Sequence, residues 1–199
     1  MSDAPPADAA NTRAPLPVPF RGFHELHAQP YLDYATAHLA DDGLALELVD
    51  DVFTALADHW TDVLAQSNPT AYAWALLRRV VEAECVRRDE HLVLVEKTAF
   101  AYAMRENVKS LLDGLDASVT DLEDGITLAA AIRSLSGSKH DVIVLRYLMG
   151  YSVNRIATVM GVETATIRSL ICQAKTKLAA RLASRRLLRP GPIKHDAQE

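Results

Sequence analysis

Thr166, Ser169, Gln173 and Thr176 recur at three- and four-residue spacing in the stretch TATIRSLICQAKTKL, with Arg168 and Lys175 beside them. On an α-helix this spacing gathers hydroxyls, an amide and cations on one outward side. Such a set can hydrogen-bond and pair charge, which suits base edges and phosphates in a nucleic-acid groove. The opposite side carries Ile167, Leu170, Ile171, Ala174 and Leu178, an apolar stripe for a core.

A helix that presents such a face must be held at a fixed angle, and the residues before it provide for that. In YSVNRIATVMGVETATIRSLI, Ser152 is placed to cap a short helix over VNRIATVM, and Gly161 is placed to end it. A glycine inside an apolar helical pattern costs stability unless the chain turns there. Ala157 is small where two helices cross closely, and Ile167 plugs the angle between them. Ile156, Met160, Val162 and Leu170 fill the remaining apolar positions. The pattern is that of a helix-turn-helix, whose second helix enters the major groove. A helical hairpin that merely packs is the competing reading, and charge argues against it.

From Arg133 to Lys194 there are 12 Lys/Arg and 2 Asp/Glu, whereas the rest of the chain holds 9 and 24. The formal net charge of −5 therefore conceals a basic end and an acidic remainder. Such asymmetry points to nucleic acid at one end and a different partner at the other. At 199 residues and 49% hydrophobic, the chain suffices for one ordinary domain or two small ones. No run approaches eighteen apolar residues, and MSDAPPADAA lacks the pattern of a signal peptide. A soluble cytoplasmic protein without membrane insertion is expected. The two cysteines, Cys85 and Cys172, lie far apart, which argues against a disulfide framework.

Apolar residues recur at helical spacing through most of the chain, and strand alternation is not convincing anywhere. The expected fold class is all-α, with two small helical domains joined by an acidic linker. Residues 1–22, rich in proline and alanine, read as a disordered tail. Residues 23–90 form the first domain. There Asp41 or Asp42 caps a helix with Leu48, Val49, Val52, Phe53, Leu56 and Trp60 on one side. Ser67 or Asn68 caps a second long helix, with Pro69 in its first turn. Residues 91–125 are a partly helical linker that ends in DGLDASVTDLEDG. Residues 126–186 are the helix-turn-helix domain, in which Ser138 and Asp141 have the spacing of a capping box. Residues 187–199 are a flexible tail.

The segment LSGSKHDVIVLRYLMGYSVNRIATVMGVETATIRSLICQAKTKLAARL resembles domain 4 of bacterial RNA polymerase sigma factors of the extracytoplasmic-function, sigma-70-like group. The first block is similar to sigma domain 2. There ALELVDDVFTAL matches the helix that docks on polymerase, and AYAWALLRRVVEAECVRR sits where the family melts and reads the minus-10 element. The resemblance spans roughly residues 28–186. It implies a protein without catalysis or cofactors of its own, which binds core RNA polymerase and promoter DNA. Carried onto this sequence, Thr164, Thr166, Arg168, Ser169, Gln173, Lys175, Lys177 and Arg181 would contact the minus-35 element. In that set Lys175, Lys177 and Arg181 would hold the backbone. Arg78, Arg79, Arg87 and Arg88 would serve the minus-10 element, and Glu47, Asp50 and Asp51 would meet polymerase. An anti-sigma inhibitor would bind the acidic surface of the first domain and the basic helix of the last.

Two features depart from the family pattern. The first domain carries 13 acidic residues against four arginines, and its melting helix reads Val80, Val81, Glu82, Ala83, Glu84. Carboxylates there repel phosphate. Arg155 stands where the family commonly has an acidic residue. These departures keep a second reading in view: a sigma-like helix-turn-helix regulator that binds DNA through its C-terminal domain and a protein or ligand through its acidic N-terminal one. His24, His27, His38 and His59 lack the spacing of a metal site, so no metal is expected. Trp60 and Trp74 read as core anchors. Gly-rich phosphate loops, nucleophile elbows and paired-carboxylate motifs are missing from the sequence, so enzymatic activity is not expected.

Overall fold

The computed structural model describes residues 18–88, 128, 130–132 and 134–187. Among these residues every regular element is helical. The expected linker and the outer parts of both tails lie outside them.

Helix α1 spans Val18–Leu39, α2 Asp42–Asp58, α3 Trp60–Leu64 and α4 Pro69–Arg87. The polar residues that start these helices act as the sequence suggests. Asp41 Oδ1 accepts the Leu44 amide at 3.1 Å, and Asn68 Oδ1 accepts the Ala71 amide at 2.9 Å. Each bond satisfies a donor that the first helical turn cannot use. The α1 helix begins within the stretch expected to be tail. Its Phe20 is buried against Trp60 and Phe53, with ring centroids 5.1 and 6.4 Å away. An aromatic side chain with such partners adds apolar burial, so the helix extends to include it.

Trp60 and Trp74 are both buried. Tyr31 and Tyr34 approach Trp74 edge-on at 5.7 and 4.8 Å. His27 and His38 are buried in the same aromatic layer, and burial lowers the pKa of each to about 4.

The C-terminal half contains α5 (Ser138–Ile143), a π-helical turn (Val144–Leu148), α6 (Val153–Met160) and α7 (Thr164–Leu187). The expected capping box at Ser138 and Asp141 does not form. Gly137, at φ +52°, occupies the cap position, and no side chain caps the helix. Asp141 is instead turned into the core, where partners from α1 and α4 hold its carboxylate. A second departure follows directly, because the expected helix through SKHDVIVLRYLM widens after Ile143. The Met149 amide reaches the Val144 carbonyl at 3.1 Å, five residues back, and Gly150 closes the turn at φ +69°.

The two halves are in direct contact. Residues of α1, α2, α4, α5, α6 and α7 form one continuous buried cluster, which includes Leu77, Val81, Ile132, Ile143, Leu145, Ile156, Ile167 and Leu178.

Candidate nucleic-acid interface

Ser152 Oγ accepts the Arg155 amide at 3.1 Å and starts α6. Gly161 ends it at φ +66°, ψ +36°, the left-handed conformation that glycine adopts without a Cβ penalty. Helix α7 follows after two residues. Ile156, Ala157, Val159 and Met160 of α6 are buried, as are Ile167, Ala174 and Leu178 of α7. The apolar stripe of α7 therefore faces the α5–α6 pair, and its angle is fixed by side chains that have no other place to pack.

With that side buried, the polar one is free. Thr166, Arg168, Ser169, Gln173, Lys177 and Arg181 are exposed, while Thr164 and Lys175 are partly covered. Gln173 Nε2 donates to Ser169 Oγ at 3.1 Å, one helical turn away. The Lys175 ammonium lies 5.5 Å from the centre of the Tyr147 ring, a cation–π contact that draws it from the outward row. Cys172 is also exposed on this helix, and Cys85 is buried. A row of exposed hydroxyls, an amide and cations along a helix of 24 residues has the hydrogen-bonding and charge chemistry that suits a nucleic-acid groove and its phosphates.

A family model, sigma-70 region 4, matches residues 126–178. Those residues are similar to the sigma-70 region 4 domain. No curated protein matches the chain. Region 4 is a DNA-binding helix-turn-helix of transcription factors and is not an enzyme, in keeping with a sigma-factor-like DNA-binding role for the chain. Its first helix of the motif is α6 and its recognition helix is α7. Among the described residues no helix is long and apolar enough to cross a membrane, and no group of three His, Cys, Asp or Glu side chains could hold a metal ion.

The other expected site residues lie in the half preceding region 4. Glu47, Asp50 and Asp51 are exposed on α2. Glu47 and Asp51 form one wall of an open groove of about 440 Å³, and Arg79 and Arg87 of α4 form the other, over a floor of Leu44, Leu48, Leu76 and Val80. Two of the three residues assigned to polymerase and two of the four assigned to the minus-10 element thus line one groove. Arg87 also chelates Glu84 through Nε at 2.8 Å and Nη2 at 2.5 Å, and these bonds lower the Glu84 pKa. Arg88 lies 3.9 Å from Asp41.

Arg78 belongs elsewhere. Its Nε stands 2.8 Å from Asp141 Oδ2 of region 4, and Tyr34 Oη donates to the other oxygen of the same carboxylate at 3.0 Å. Asp141 is buried, and burial together with this carboxylate raises the Tyr34 pKa well above its usual value. Sequence reasoning missed this site, because the spacing of Asp141 from Ser138 already had a local explanation. It also had no account of Arg155. The guanidinium of Arg155 stacks 4.1 Å above the Tyr151 ring, and Tyr151 Oη donates to Asp33 of α1 at 2.5 Å.

Proposed function

We propose that the chain is a cytoplasmic sigma factor of the extracytoplasmic-function type that binds core RNA polymerase and directs it to specific promoters. In this reading Thr164, Thr166, Arg168, Ser169 and Gln173 contact the minus-35 element, with Lys175, Lys177 and Arg181 on its phosphates. Glu47, Asp50 and Asp51 meet polymerase, and Arg78, Arg79, Arg87 and Arg88 serve the minus-10 element. The observation that carries the reading is the exposed polar row of α7 within a region 4 domain. In this reading an anti-sigma inhibitor would cover this row and the acidic face of α2.

A second reading has its own support. Exposed Glu82 and the Glu84–Arg87 pair reduce the positive field of α4, and Arg78 is committed to Asp141. These features suit a regulator that binds DNA through region 4 alone and uses its acidic half for another partner.

Reconstitution with bacterial core polymerase, followed by run-off transcription on a genomic promoter library, separates the two. Specific transcripts that disappear with Arg168→Ala, together with polymerase binding that disappears with Asp50→Lys/Asp51→Lys, are expected for a sigma factor. DNA binding without any polymerase binding would establish the regulator instead.

A further inference from the structure

The polar groups of α7 differ in what they leave for a partner. Thr176 Oγ1 donates to the Cys172 carbonyl at 3.1 Å, so its proton is spent on the backbone of its own helix. Lys175 leans on the Tyr147 ring. Arg168 is exposed but carries donors only, which suits guanine O6 and N7. Gln173 is the one amide side chain on α7. It is exposed, and its Nε2 donates to Ser169 Oγ at 3.1 Å, one turn earlier on the same exposed side. Ala165, Cys172 and Thr176, which share that side, are short, so the helix can lie close to a surface that it meets there.

A planar amide has two N–H groups and one carbonyl oxygen. The N–H on the side of its own carbon chain can turn back to Ser169. The other N–H then stays beside Oε1, and the two together form a donor–acceptor edge. In the major groove adenine presents the complement, an acceptor at N7 next to a donor at N6. Guanine presents two acceptors there, so one of them would face the amide oxygen, a third acceptor. Cytosine offers a donor alone, and thymine an acceptor beside a methyl group. The bond to Ser169 also orders the amide before a partner arrives, and a side chain ordered in advance loses less freedom on binding.

We infer that Ser169 and Gln173 act as one unit that selects an adenine in the major groove: Gln173 makes both bonds to the base, and Ser169 is its positioning residue. The inference rests on the promoter reading and adds to it the base that one position of the minus-35 element must carry. Neither side chain is charged. The unit therefore contributes sequence preference and leaves the salt-dependent attraction of phosphate to the cations of α7.

Selection from a duplex library randomised over the minus-35 element tests this, with the full-length chain alone and bound to core polymerase. The wild-type chain is expected to select one position at which adenine is preferred over each other base by about tenfold. Gln173→Ala is expected to abolish that preference and to leave the others in place. Gln173→Glu, which has acceptors only, is expected to move it to cytosine. Ser169→Ala is expected to weaken the preference about threefold, and Ser169→Thr, which keeps a hydroxyl, to restore it. Both residues are exposed, so Gln173→Ala and Ser169→Ala are expected to keep the wild-type salt dependence of binding, whereas damage to the fold would weaken binding to every duplex. An adenine preference that survives Gln173→Ala would overturn the inference, as would a wild-type chain that selects other bases but no adenine. Full preference in Ser169→Ala would overturn the positioning role. If the wild-type chain selects no sequence in either form, the promoter reading itself fails, and this inference with it.

Discussion

At Gly161 the backbone is left-handed and the α-carbon faces the start of α4. Gly161→Ala therefore meets two penalties: a left-handed alanine, about 1 kcal/mol, and a clash with backbone that cannot rotate away. Urea unfolding is expected to show a loss of at least about 1–2 kcal/mol, with the contact between the halves weakened as well. On the outward side of α7, side chains of one charge should act differently. Arg168 stands early on the helix, where recognition helices touch base edges, and Lys177 lies two and a half turns further on. Arg168→Ala is expected to cost about 1–3 kcal/mol on the preferred duplex and to relax sequence preference. Lys177→Ala is expected to weaken binding equally on all duplexes and to lower the salt slope by about one. Titrations at several salt concentrations on matched and scrambled duplexes distinguish the two outcomes.

The helix-turn-helix was legible as an element because its determinants are local. Ser152, Gly161 and the 3.6-residue repeat of Ile167, Ala174 and Leu178 each act within one or two turns of themselves. The same holds for Asp41 and Asn68 as caps. The stripe on α7 makes a quantitative prediction. Leu178 is fully buried, so Leu178→Ala leaves a cavity and should cost about 2–5 kcal/mol by denaturant titration. An unchanged unfolding midpoint would mean that the end of α7 does not pack as described. The element that the sequence misrepresented is the one starting at Ser138. Capping spacing there is genuine, yet Asp141 is drawn to Arg78 and Tyr34, and the helix widens into a π turn after Ile143. A local pattern cannot register a competing partner 63 or 107 positions away.

For the molecule as a whole, the buried histidines set an acid limit on stability. His38 is enclosed by Tyr34, His140 and Asp141, and Cys85 approaches its carbonyl. Burial lowers its pKa from 6.5 to about 4, followed in effect by the charge of His140. The unfolded chain therefore takes up a proton near pH 6.5 that the folded chain refuses until about pH 4. The contribution is complete above pH 6.5 and is lost as the pH falls towards 4, at up to about 1.4 kcal/mol per pH unit. His27 acts in the same direction. Melting temperatures should fall steadily between pH 6.5 and 4.5, and His38→Gln should flatten that slope. A melting temperature independent of pH over this range would contradict the burial of both rings.

The helical class, the caps, the turn at Gly161 and the division of α7 into an apolar and a polar side are legible in local sequence. Each of these follows from residue types within a few positions of one another, where spacing converts directly into geometry. Which charges remain available is set by long-range packing. Arg78 and Arg79 are neighbours in sequence and identical in chemistry, yet Arg78 meets a buried carboxylate of region 4 while Arg79 lines an open groove beside Glu47 and Asp51. That outcome depends on elements brought together from distant parts of the chain. The free energy of a charge depends on its distance to partners and on its access to water, and neither quantity is encoded in local spacing.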